Sequence, residues 1–531
     1  MTDISHDNSA SRRLAGFRRA AKALKRAARA GEPQALARLA AVTTTKGGEA
    51  RHADCLHVIA QEAGYGSWAA LKFDVETAAL DRAGRQQRLA LALYEGWQPQ
   101  VERLLAADPT LADGHIGLLA ALYRREELLP LIDADPDAAT KPVGRRTPLL
   151  HLTFSRYHRL RPDLAGEAPK IADMLVERGA EIDEGVLANP DDDPETGHRL
   201  SALYGALGHA GNLPLARHLL EHGANPNDNE SFYHATELGH LDGVRLMMEF
   251  GAKLQGTNAF FRMLDFDNLE GAKLMLDHGA DPNECPAQWL VAHRSERGNA
   301  LHHAIRRGRN GRFVELLLDA GADPMALYLG HTAYAMARIN GNASAVRVLE
   351  ARGLATPLSD AERLLAAAAE GDMQALEALS GSTAGLIATL HPEDQAMHVE
   401  LARVQGKLAA LKGLIAAGFD PQFEDRHEKI TALHGAAWWG LADHVEFLLG
   451  FPQDLEHRNV YGANALGTAI HGSRNCQEAD RGDYERTVEL LIAAGVSINP
   501  DRGDLLMGSE QVTMLVESAL DARGGVDENQ A

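Results

Sequence analysis

The chain is poor in cysteine and in aromatic residues, and it has no long apolar run. Three cysteines (Cys55, Cys285 and Cys476) in 531 residues are too few and too scattered for a disulfide framework, which argues for a reducing compartment. No apolar stretch approaches the ~20 residues that span a bilayer. The opening MTDISHDNSASRR lacks the apolar centre of a secretory signal. A cytoplasmic location is expected, with delivery into a host cell as an alternative for which no signal is visible. Catalytic signatures are missing as well. There is no G-x-x-x-x-G-K-[ST] to cradle a phosphate, no G-x-S-x-G to present a nucleophile, no G-x-G-x-x-G between a strand and a helix, and no C-x-x-C. The expectation is a protein that is not an enzyme and holds no cofactor.

Positive charge is outnumbered by negative, 53 Lys and Arg against 74 Asp and Glu. The net charge is −21, yet residues 1–52 hold eleven Lys and Arg against four Asp and Glu, a balance of +7 that leaves −28 on the remainder. So acidic a body repels phosphate backbones and attracts basic surfaces. A protein partner with a basic surface is therefore expected, and no membrane partner. Nucleic acid finds favourable charge only over residues 11–52.

What the chain has in abundance is one phrase: an apolar helix, a tight turn, a second apolar helix, then Gly-Ala-Asp or Gly-Ala-Asn. Its end reads LLEHGANPN (219–227), MLDHGADPN (275–283), LLDAGADP (317–324), LIAAGFDP (414–421) and LIAAGVSIN (491–499). Thr332, Thr431 and Asn464 open equivalent helices. The last two lie one repeat apart and the first two lie three apart, a period of about 33. Units of this size cannot bury their apolar faces alone, so they stack on one another.

The clearest units, TALHGAAWWGLADHVEFLL (431–449) and NALHHAIRRGRNGRFVELLL (299–318), resemble the ankyrin repeat, T-P-L-H-x-A-A-x-x-G-H followed by a second helix ending L-L-x-x-G-A-D. The resemblance covers roughly residues 80–522 and implies an all-α ankyrin-repeat solenoid of about twelve units with an N-terminal helical capping module. Residues 1–10 read as disordered, 11–78 as the helical module, 80–200 as degenerate repeats with insertions, 201–500 as repeats, 501–522 as a capping half-repeat and 523–531 as a disordered tail. The segment Leu56 to Lys72 resembles a helical module placed before ankyrin arrays in bacterial proteins, and its expected role is to close the first repeat. Arg far outnumbers Lys, as in GC-rich bacterial coding. Insertions fall near 156–169, 184–199 and 473–483; in repeat proteins these map to loops on one face.

Histidines at the T-P-L-H position, His302 and His434, are implied by the resemblance to hydrogen-bond at the turn between repeats. His218 and His222 share a helix face at i, i+4 spacing, a metal-compatible pair. They lack the Glu of H-E-x-x-H and show no third ligand, so no metal is expected. The acidic run Asp191, Asp192, Asp193 and Glu195 lacks the alternation and Gly turn of a calcium loop and reads as solvated.

The functional surface is expected at the two variable positions that end each first helix, which in ankyrins face a concave groove. These hold Trp438 and Trp439, Arg306 and Arg307, Asp265 and Phe266, Tyr123 and Arg124, and Tyr94 in the first unit. Aromatics and Arg are enriched at binding hot spots. The resulting expectation is a non-catalytic scaffold that binds a protein partner. A nucleic-acid-associated regulator working through the basic N-terminal module and a host-directed bacterial effector are the alternatives. At least one of the two tryptophans should be substantially exposed, because neighbours on a helix point about 100° apart.

Overall fold

A computed structural model describes residues 8–42, 52–193, 195–284, 298–379, 383–476, 478–498 and 508–527. Cys285 lies outside the described residues. The chain divides into two compact units, residues 73–296 and residues 1–72 together with 297–531.

Residues 73–296 are a stack of helix pairs. The first helices are Arg82–Glu95, Ile116–Ala121, Pro148–Thr153, Ala202–Tyr204, Ser231–Ala235 and Ala259–Asp265; each is followed by a second helix, ending with Leu269–Asp277. The other unit continues the pattern from Ala300–Arg306 to Tyr484–Ala494 and closes with Glu510–Asp527. This is the all-α ankyrin-repeat architecture. No helix among the described residues is long and apolar enough to cross a membrane.

The cap chemistry explains where first helices start. Thr147, Ser201, Asn299, Thr332 and Asn464 each accept a hydrogen bond from the amide three residues on, which satisfies one of the orphan donors of a helix N-terminus. Thr431 departs from the rule: its hydroxyl pairs with His434 Nδ1 at 3.0 Å instead. His434 is buried, and burial pushes its pKa down to about 4, so the neutral ring serves packing. Second helices end on glycine with positive φ, as at Gly321 (φ 90°) and Gly495 (φ 98°), a backbone region that a side chain would strain. The inter-helix core is built of small residues. Ala436 and Ala469 are fully buried within one cluster with Leu433, Val445 and Leu466, which lets neighbouring repeats approach closely.

The extension 184–199 forms part of a hairpin rather than an irregular loop. Gly185–Leu187 pairs antiparallel with Arg199–Ser201, in the register Val186 to Leu200. At its tip Asp193 Oδ1 accepts the amides of Glu195 at 2.8 Å and Thr196 at 3.1 Å. That carboxylate is used to shape a turn.

The N-terminal module has a partner far away in sequence. Asn8–Arg29 packs on His52–Glu62, which in turn packs on Glu510–Asp527. Trp68, only 2% exposed, donates from its indole N–H to Glu517 at 3.1 Å. Lys72 pairs with the other oxygen of Glu517, and Arg18 stands 3.9 Å from that oxygen. A carboxylate that is 8% exposed needs such partners, because an uncompensated buried charge is strongly destabilising. The helix begins at Asn8 and the last helix runs to Asp527, each a few residues beyond the limits expected for the module and the half-repeat.

Candidate functional site

Residues 73–296 carry a ladder of rings and cations. Its rungs come from five of the six first-helix segments. Tyr94, at the end of Arg82–Glu95, stacks on His209 with ring centroids 3.9 Å apart. Phe154 meets Tyr204 at 5.8 Å, and Tyr204 meets His234 at 4.9 Å. His234 touches Tyr233 at 4.8 Å. Arg262 lies 4.8 Å over Tyr233 and 4.3 Å over Phe266. At the other end Arg146 lies 4.4 Å over Tyr94 and 4.9 Å over Phe154. A guanidinium over a ring face is favourable by about 0.5–2 kcal/mol.

An extra residue sets the middle rung. Ten positions separate Ser201 from the turn glycine Gly211, where nine separate Thr332 from Gly341. The surplus is absorbed by one wide turn of π-helix over Gly205–His209, a device that locally re-aims side chains. It brings His209 Nε2 to the Tyr94 carbonyl at 2.8 Å. A carbonyl only accepts, so Nε2 carries the proton. Burial, helped by the charge of Arg156, pushes the His209 pKa down to about 3, and the ring stays neutral.

His234 is the opposite case. Burial works to lower its pKa, but Glu230 at 3.0 Å and Glu237 at 2.8 Å outweigh burial and raise it to about 9. His198 shares Glu230 at 2.8 Å, while Arg262 bridges Glu237 at 2.6 Å and Asp265 at 3.1 Å. His234 is thus an imidazolium at neutral pH, with each ring nitrogen donating to a carboxylate. Arg146 differs from Arg262: among the described residues it has no carboxylate within ion-pair distance, and the two rings hold it in place.

The insertion at 156–169 braces this surface. Arg156 donates to the carbonyls of His209 (2.9 and 3.1 Å) and Glu95 (3.1 Å), and Arg159 donates to Ala210 at 2.6 Å. A cation at the carbonyl end of a helix is favoured by the helix dipole. The same insertion removes Tyr123 from the expected surface. Tyr123 is 3% exposed, packs edge-on against Tyr157 at 5.6 Å, and its hydroxyl pKa is pushed up to about 12 by burial. Arg124 stands near Asp113 and Glu127, at 3.6 and 3.5 Å. Tyr94, Asp265 and Phe266 do belong to the ladder region. Tyr204, His209, His234, Arg262 and Arg146 went unread as a set, because only stacking across repeats joins them.

In the other unit Trp438 and Trp439 are half-buried, so neither reaches the exposure expected of a free anchor. Both pack against the C-terminal core. Trp438 lies 5.5 Å from His471, and its carbonyl accepts from Tyr484 Oη at 2.6 Å. Trp439 has a buried indole N–H with no hydrogen-bond partner among the described residues. The cause is the insertion at 473–483, which folds back on this helix end: the amide of Asp483 donates to the Gly440 carbonyl at 2.9 Å. Arg306 lies over Tyr328 and donates to its hydroxyl at 2.8 Å. Arg307 is half-buried.

A carboxylate stands beside the histidine pair of the HLLEH phrase in space. Asp173, on Glu167–Glu177, places a carboxylate oxygen 2.6 Å from His218 Nε2.

These stacked helix pairs have the ankyrin-repeat fold. Among solved structures, the chain is similar to the human ASB11 ankyrin repeat domain, with 17% identity over 49% of this chain and 96% of that one, at a TM-score of 0.23. It is likewise similar to the ankyrin repeat domain of Bcl-3, a member of the IkappaB protein family, with 16% identity over 49% of this chain and 97% of that one, at a TM-score of 0.23. No family model and no curated protein matches the chain.

Proposed function

We propose that this is a non-catalytic ankyrin-repeat scaffold of bacterial type, resident in the cytoplasm, that binds a protein partner along the ends of its first helices. The observation that carries the reading is the ladder from Arg146 to Phe266. Phe154 is 1% exposed and only backs the line, but Tyr94, Tyr204, Tyr233 and Phe266 offer half-buried ring faces with low rotamer entropy, and Arg146 adds a cation that rings rather than a carboxylate hold. The acidic surround favours a partner with a basic surface, and Arg146 adds one position for a carboxylate or carbonyl oxygen. Trp438, Trp439, Arg306 and Arg307 form a second contact region, with less ring surface to offer.

The test begins with capture from native lysate, identification of the partner by mass spectrometry, and titration of the purified pair. Tyr94→Ala with Phe266→Ala should weaken binding by about 2 kcal/mol or more, roughly 30-fold, with unchanged circular dichroism. Trp438→Ala should weaken it less. Unchanged affinity in both variants would sink the reading. DNA retention by the full chain that falls with salt and is lost on changing Arg12 and Arg13 would favour the nucleic-acid regulator instead.

A further inference from the structure

Three side chains outside the ladder meet with the donor set of a metal site. His218 lies on the second helix Leu213–Glu221, and His222 follows directly after it. Asp173 lies on the second helix of the preceding repeat, Glu167–Glu177, which packs against Leu213–Glu221. His218 Nε2 is 2.6 Å and His222 Nε2 is 3.9 Å from the same Asp173 oxygen. The two imidazoles face each other with centroids 4.1 Å apart. One ligand atom from each of the three falls within 4.8 Å of the others.

The tautomer of His222 is already set. Its Nδ1 lies 2.8 Å from the backbone carbonyl of His218. Since the carbonyl only accepts, Nδ1 holds a proton, and in the neutral ring the lone pair sits on Nε2, the nitrogen turned toward Asp173. A backbone hydrogen bond of this kind is the usual outer-shell support of a metal-bound histidine.

We propose that Asp173, His218 and His222 form a site for a first-row divalent cation of the zinc class, which clamps two neighbouring repeats together. Two imidazole nitrogens and one carboxylate are ligands that zinc accepts at about 2.0–2.2 Å in a tetrahedral shell. Ligand atoms around such an ion stand a little over 3 Å apart by that geometry. The Asp173–His218 pair therefore opens slightly, while His222 closes in. Both movements are available, because the Asp173 side chain is 43% and the His222 side chain 52% exposed. That exposure also leaves the fourth position to water. Calcium and magnesium are disfavoured, since they take oxygen ligands. The negative charge of the repeat body raises the local concentration of cations. A histidine pair on one helix alone would bind metal without coupling anything. Asp173 comes from the adjacent repeat, so the ion joins two units that packing and the hydrogen bonds of Arg156 and Arg159 already hold together.

The experiment uses the untagged full-length chain, stripped with chelator and then freed of it. Cobalt(II) is titrated and followed by its visible d–d absorption, and zinc is then added to displace it. Thermal unfolding is recorded with and without zinc. The expected result is an intense absorption typical of tetrahedral cobalt at one equivalent and a higher Tm with zinc, both lost in Asp173→Asn and in His222→Ala. Affinity should fall in each variant by more than about 100-fold, beyond what loss of an outer-shell partner does. His222 is half-exposed and its ring packs in no core, so the variant tests ligation and not folding; circular dichroism checks this. An octahedral cobalt spectrum, or equal stoichiometry and an equal Tm shift in parent and variants, would overturn the proposal.

Discussion

In residues 73–296 the insertion at 156–169 returns to the first-helix ends through two guanidiniums, Arg156 and Arg159, which cap the carbonyls of Glu95, His209 and Ala210. In residues 297–531 the end of the insertion at 473–483 and Tyr484, which follows it, return through neutral groups. The Tyr484 hydroxyl caps the Trp438 carbonyl, and the Asp483 amide caps Gly440. Gly482 permits the approach, since a Cβ there would stand 2.7 Å from the Trp439 carbonyl oxygen. Both insertions seal helix ends. The surfaces they leave differ. The cationic seal sits beneath an extended line of rings, whereas the neutral seal packs around two tryptophans and takes them partly out of solvent.

The comparison breaks most readily with pH. The folded pKa of His234 is raised to about 9, and that of His331 is raised by Asp394 and Glu362 against the effect of burial. A raised folded pKa gives stability that is full below the unfolded value near 6.5 and is lost as pH climbs through the folded value. His151, His158, His302 and His434 are pushed down to about 4, chiefly by burial. Their contribution is full above about 6.5 and is lost as pH falls toward 4. Stability should therefore peak near pH 6.5, with His234 alone worth on the order of 3 kcal/mol at most across the alkaline limb. Urea midpoints from pH 4 to 9 will show it, and His234→Gln should flatten the alkaline side. A parent profile flat between pH 6.5 and 9 refutes the assignment.

Removing the cationic seal is the next largest effect. Arg156→Ala strips three hydrogen bonds from carbonyls at two helix ends and should lower stability by about 2–3 kcal/mol. Tyr484→Phe removes one neutral bond in the other unit and should lower it by about 1 kcal/mol. Equal losses in chemical denaturation would erase the distinction between the two seals. Between them stands Ala436→Leu, which overpacks a fully buried contact and should cost roughly 1–3 kcal/mol; an unchanged midpoint would place Ala436 outside the tight contact.

Much of this fold was legible because it is local and periodic. Thr332 and Asn464 cap the helices that their spacing predicts, and Ala436 occupies the small-residue slot of the repeat. The surface was legible as positions but not as exposure. Tyr123 sits in a variable slot yet is buried, because Tyr157 from an insertion lies against it. Arg262 is a rung one turn before the slot at Asp265 and Phe266, and Tyr204 is a rung through contacts that no single repeat contains. Asp173 lies 45 residues from His218, and spacing within one helix cannot reveal a ligand on another.

The Glu517 contact has a further consequence, which concerns time. Lys72 and Glu517 are 445 residues apart. At the usual pace of synthesis, roughly 5–20 residues per second, the N-terminal module leaves the ribosome about 20–90 s before its partner helix exists. Repeat arrays ordinarily assemble from neighbour to neighbour and are spared long loop closure. Here the contact of Trp68 with Glu517 can form only after the array has been synthesised, so a long-range closure is added to an otherwise neighbour-to-neighbour assembly.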